Sequence, residues 1–283
     1  MRTKPLLLVT LAATCIAFAA AADVTYVEEI TSSGLVKKSK FKTVNKVYIK
    51  GRQQKVRSSI KADKKTAKAL EKQGQSLDAS TILQIDRKRL YDINHVANTY
   101  AQKRLPGLQP AARKPSFPPM PMAKPDIAFK VKALDETKKI NGIECQLVAA
   151  EMRARYYQGS SKKVRRVNRY LYKAWMATDF PGSDEIDAFN ADLSRNSSYV
   201  SGNAGGLEQL RDAVDNYDEL IAKMNEELKG FPMQSQIKVF VKKGNDKEKQ
   251  VFQITRKVNS ISTSTIPKSE FRVGRGLKKV SPN

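Results

Sequence analysis

Ile82-Leu83-Gln84-Ile85-Asp86-Arg87-Lys88-Arg89-Leu90-Tyr91-Asp92-Ile93-Asn94 reads as two short strands around a polar turn, because β-branched and aromatic residues flank Asp86-Arg87-Lys88 on both sides. Thr99 to Leu105 repeats the idea after a second turn at Asn94-His95-Val96-Ala97-Asn98. Strands in succession with only short turns between them make an antiparallel meander. Toward the N-terminus the same period continues: Val24, Tyr26 and Ile30 oppose Thr25, Glu29 and Thr31, Val47 and Ile49 oppose Lys46 and Lys50, and Val56, Ser58 and Ile60 oppose Lys55, Arg57 and Ser59. Each is a period-two strand with one wet face. Asp63 to Gln73, rich in Ala, Lys, Leu and Glu, interrupts them as a short, exposed helix.

Toward the C-terminus, Pro106 to Pro125 holds seven of the twelve prolines and reads as a linker or strapped surface loop. Strand signals resume at Ile127 to Ala133 and Glu144 to Met152, and Val164 to Thr178 is long and aromatic, with Tyr170, Tyr172 and Trp175. The turn ending at Ser183, followed by Asp184 and Glu185, starts a helix that runs to about Leu193. A loop spans Asn196 to Gly206. Leu207, Leu210, Val214, Tyr217, Ile221, Met224 and Leu228 then recur at spacings of three and four, predicting a second helix with one core-directed face. Gly230 is its left-handed cap and Pro232 prevents continuation. Gln236 to Lys242, Gln250 to Val258 and Glu270 to Val273 read as the last strands.

The chain has 283 residues, 52 Lys+Arg against 28 Asp+Glu, a net charge of +24 and 40% hydrophobic residues. That composition supports a packed core and excludes a multi-span membrane protein. Met1-Arg2-Thr3-Lys4, the apolar run Pro5 to Phe18 and the small residues Ala19 to Ala22 form a secretory signal peptide over 1–22, with cleavage expected after Ala22. A periplasmic or secreted location follows, with residues 23–283 as one domain. One His and two Cys leave no residues for a His-rich zinc site, a four-cysteine cluster or a disulfide framework. Cys145, the one cysteine past the leader, sits among Ile143, Leu147 and Val148 and reads as a buried small hydrophobe.

Outside the cytoplasm the anions that meet a basic protein are lipid headgroups and acidic glycans, so an anionic membrane surface or glycan is the expected charged partner rather than nucleic acid. Lys37 to Lys72 holds fourteen Lys and Arg against Asp63 and Glu71, and Lys162, Lys163, Arg165 and Arg166 cluster by a turn at Gln158 to Ser161. The bland alternative is that such lysines secure solubility and discourage edge pairing. Aromatics are too sparse among these charges for single-stranded nucleic-acid stacking.

Catalytic signatures are absent from the sequence. His95 lies in a turn, no G-x-S-x-G elbow presents a serine to it, Asp184, Glu185, Asp187 and Asp192 lack EF-hand spacing, and Gly202 to Gly206 lacks the phosphate-loop pattern. A non-enzymatic protein without cofactor or metal is expected.

Tyr26 to Ile30, the hairpin quoted above, Thr137-Lys138-Lys139-Ile140-Asn141-Gly142-Ile143-Glu144-Cys145, Trp175 before a helix, and Ile266-Pro267-Lys268-Ser269-Glu270-Phe271-Arg272-Val273 resemble a bacterial exported family of unknown function. Its fold resembles the periplasmic lipoprotein carriers (LolA/LolB-like). The resemblance implies an α+β fold: a curved antiparallel half-barrel with helices covering an apolar concave face. Where the family usually has a compact connection, this chain has the lysine-rich 63–73 insertion and the long proline segment. No catalytic residue carries over. An apolar ligand or acyl chain is expected between sheet and helix, lined by Trp175, Val214, Tyr217, Ile221 and Met224; the alternative is a structural or adaptor protein docked on envelope polyanions through its basic surface. The oligomeric state is left open.

Overall fold

The computed structural model describes residues 23–34, 40–72, 74–105, 126–157, 163–196 and 228–282. The leader, the proline-rich segment, the turn at 158–162 with Lys162, and residues 197–227, which hold nearly all of the second expected helix, lie outside them.

Among the described residues, twelve strands form one open sheet. The first meander is β1 (Val24–Ser33), β2 (Lys40–Lys50), β3 (Gln53–Ala62), β4 (Asp78–Gln84), β5 (Arg89–Asn94) and β6 (Thr99–Arg104). The second is β7 (Asp126–Ile140), β8 (Ile143–Tyr157), β9 (Val164–Ala177), β10 (Phe231–Lys243) and β11 (Lys249–Thr263). The halves join where β11 pairs antiparallel with β1, and β12 (Lys278–Val280) pairs parallel with β6, leaving β7 and β12 as the edges. Local sequence explains the turns: Lys88, Asn98 and Asn141 adopt positive φ at hairpin ends, and polar residues next to short loops accept that cost. Register shifts at Val27/Glu28, Ala133/Thr137, Tyr156/Tyr157, Pro232/Gln234 and Val239/Phe240 bend the long strands, as bulges do.

Strand alternation sets two faces. The inner face carries Val24, Tyr26, Glu28, Ile30 and Ser32 of β1 and Phe252, Ile254, Arg256 and Val258 of β11, all buried. On the outer face of the first meander, Ile82 and Ile93 are covered by the C-terminal segment through Ile266, Phe271 and Leu277. The expected strand Glu270 to Val273 is corrected here: Lys268–Phe271 is a 3-10 turn behind Pro267, and Phe271 is buried. Its backbone bonds itself, Glu270 N–H to Pro267 O and Arg272 N–H to Ser269 O, so the ladder pairing falls to β12 instead.

Two helices are described. α1 (Lys64–Lys72) starts where Asp63 accepts from the Thr66 backbone N–H at 2.9 Å and from its hydroxyl at 2.7 Å, bonds that hold the carboxyl below its ordinary value. It is less exposed than expected, since Leu70 and Thr66 are buried. α2 (Ser183–Asn196) enters through Gly182, whose φ of +92° and 2.5 Å approach of a built Cβ to Val24 Cγ2 leave no room for a side chain. Its Ile186, Phe189 and Leu193 pack on Val24, Tyr26, Val47 and Ile49. Two of its acids fasten this helix: Glu185 accepts the Gly51 N–H at 2.6 Å and Asp192 pairs with Arg52 at 2.6 Å. Burial and then Asp184 push the Asp187 carboxyl up.

Candidate functional site

The inner face carries two apolar clusters with a charged seam between them. One end, under α2, holds Tyr26, Val47, Phe180, Phe231 and Val258, with the Tyr26 and Phe231 rings edge to face at 5.3 Å. The other spans β7 to β11 and holds Met152, Tyr170, Tyr172, Ile237, Val239 and Ile254. Leu228, the last residue of the second expected helix, packs against this second cluster.

Glu28 lies between Tyr26 and Ile30 on β1, and Arg256 between Ile254 and Val258 on β11, so both charges occupy the seam. The bulge at Val27/Glu28 places them diagonally, and Arg256 Nε donates to Glu28 Oε2 at 2.6 Å with side-chain exposures of 0% and 1%. Asn45 Nδ2 donates to the other carboxylate oxygen at 2.7 Å. Arg256 Nη1 donates to Pro232 O, and the guanidinium lies 5.0 Å from the Phe231 ring centroid. Burial opposes the guanidinium charge, and Glu28 with Tyr26 and Tyr172 more than offsets it, so its pKa stays above the ordinary arginine value. Burial pushes the neighbouring Tyr172 phenol up to about 12, against Arg256 and a Ser235 hydrogen bond.

Among the described residues, Asn45 Oδ1, Gln54 Nε2, Asn168 Oδ1 and Arg256 Nη2 are inner-face polar atoms buried without a hydrogen-bond partner. A dry core does not leave such atoms orphaned without reason.

The residues expected to line the site separate. Val214, Tyr217, Ile221 and Met224 lie outside the described residues. Trp175 stands opposite Leu147 in register and packs against the cluster under α2 rather than against the cluster of Tyr170, Tyr172 and Ala174. It sits half-buried with Lys138 Nζ 4.2 Å over its ring. The basic hairpin also divides. Lys163 and Arg165 are exposed, whereas Arg166 lies 4.2 Å over the Tyr156 ring on the inner side. Arg165 shares the outer side of β9 with Arg169 and Lys173, and Arg169 stands opposite Arg153 in register. Of these, Arg169 pairs with Glu248 and Arg153 with Glu151.

His95 lies in a turn, as expected, and is half-buried, with Nε2 2.7 Å from Ser80 Oγ. Ser80 is 2% exposed, which closes it to substrate. Cys145 is a free, buried thiol whose pKa burial pushes up. Among the described residues no group of three or more His, Cys, Asp or Glu stands ready for a metal, and no helix is long and apolar enough to cross a membrane.

No family model and no curated protein matches the chain. Among solved structures it is similar to a domain named for outer membrane lipoprotein sorting from Vibrio parahaemolyticus, at 9% identity over 89% of this chain and 90% of that one, TM-score 0.29. It is also similar to a DUF1329 family protein from Desulfovibrio piger, at 7% identity over 90% and 91%, TM-score 0.31.

Proposed function

We propose that the chain is a non-enzymatic exported protein of the cell envelope that holds a lipid or other apolar ligand against the inner face of β8 to β11, with the helix expected over 207–228 as the covering side. The observation that carries this reading is the cluster of Met152, Tyr170, Tyr172, Ile237 and Val239, which Leu228 packs against. Val214, Tyr217, Ile221 and Met224 repeat at the spacing of Leu228 and supply the facing wall, and Trp175 belongs to the end of the site toward the cluster under α2. A carrier of this kind needs an apolar space on the order of several hundred Å3. Lipid extraction and mass spectrometry of protein purified from the envelope tests the reading: an apolar species enriched with the protein supports it, and no enrichment overturns it.

A second reading has its own observation. Arg165, Arg169 and Lys173 on β9, with Lys238 on β10, align on the outer side of the same strands, so an adaptor docked on anionic lipid or glycan would use that side. Protein that releases no apolar ligand yet binds anionic vesicles in a salt-sensitive way favours the adaptor.

A further inference from the structure

We infer that Arg256 is a head-group reader, binding the neutral carbonyl oxygen of an acyl ester or amide through Nη2 while the acyl chain lies along the Tyr170 and Val239 side of the seam; this rests on the ligand-holding reading above. Three observations converge on it. Arg256 is buried at 1% exposure, and Nε and Nη1 are committed to Glu28 and Pro232, while Nη2 keeps a donor with no partner among the described residues. It lies between the two apolar clusters, where the head of an amphiphile would sit if its chain followed the second cluster. The charge arithmetic then selects the head. Glu28, itself fixed by Asn45, already neutralises the guanidinium, so a second anion in this dry seam would be uncompensated and costly, whereas a carbonyl acceptor brings no net charge. A pure hydrocarbon would leave Nη2 unsatisfied, and a donor to a carbonyl from a charged group is among the stronger hydrogen bonds.

The test uses delipidated mature protein and three probes of equal chain length, hexadecane, methyl palmitate and palmitate, each competing at mildly alkaline pH with diphenylhexatriene. Methyl palmitate is expected to bind about tenfold more tightly than hexadecane and more tightly than palmitate. Arg256→Lys keeps a cation opposite Glu28 but removes the fork, and the ester's advantage over hexadecane should fall to about twofold or less. Equal affinity for ester and hexadecane in the unaltered protein overturns the head-group role while leaving the apolar site standing, and means Nη2 is satisfied by water alone. Palmitate as the tightest probe overturns the neutral head, and full ester preference in Arg256→Lys overturns the assignment to Arg256. Binding of none of the three overturns the ligand-holding reading as well. Should Arg256→Lys fail to fold, the order of the three probes on the unaltered protein still decides the matter.

Discussion

Tyr172 shows how a buried group on the inner face translates into a solution property. Its phenol is raised to about 12 by burial, so between the ordinary tyrosine value near ~10 and that limit the unfolded chain releases a proton that the folded chain retains. Stability contributed by the neutral phenol is therefore intact below about pH 10 and falls by roughly 1 kcal/mol per pH unit above it. Tyr172→Phe removes the group, and its urea midpoint should decline less steeply than that of the unaltered protein over this range; identical slopes would contradict the buried assignment. The residues around it were unevenly legible. Val24, Tyr26 and Ile30 announce an inner face by period two, and Glu28 occupies an inner position of that same series. Its partner Arg256 lies 228 residues away, across a pairing of the first long strand with the eleventh. Alternation could have flagged each charge as sitting on an apolar face; only the tertiary pairing shows that they meet.

Among elements, the C-terminal segment does most to close the first meander. Lys55 pairs with Glu270 at 2.6 Å, Gln84 Nε2 donates to Phe271 O at 3.0 Å, the Ile266 N–H donates to Asp23 at 2.6 Å, and Lys278 N–H reaches Asn98 O at 3.0 Å before β12 covers the β6 edge. Covering an edge removes a template for unwanted pairing. Phe271 is 1% exposed, so Phe271→Ala should cost about 3–5 kcal/mol, seen as a lowered urea midpoint with an unchanged slope, together with faster amide exchange in β6. A loss under about 1 kcal/mol would mean the segment merely lies on the sheet. Four apolar-and-charged residues from Glu270 to Val273 carry the same pattern for a strand as for a short turn, which is why periodicity misassigned them. α2 was legible because Ser183, Asp184 and Glu185 supply start signals that strands do not need; that Glu185, with Asp192, fastens the helix to the Gly51–Arg52 turn required the fold.

For the whole molecule, two meanders meeting at β1 and β11 give a sheet with chemically different sides, apolar with a neutralised charge seam inside, and basic along β9 and β10 outside. Composition revealed the excess of positive charge, yet clustering in sequence pointed to the 162–166 run, whereas register gathers Arg165, Arg169 and Lys173 by even steps and sends Arg166 to the other side. The same alternation supplies the most direct test of the central claim, because Tyr170 and Leu171 are neighbours in the chain that point to opposite sides of β9. Each is replaced in turn by p-benzoylphenylalanine, and the protein is irradiated in its envelope and analysed by mass spectrometry for covalently attached lipid. The account predicts a lipid adduct from position 170 and none from position 171; no adduct at 170, or equal adducts at both, would contradict it.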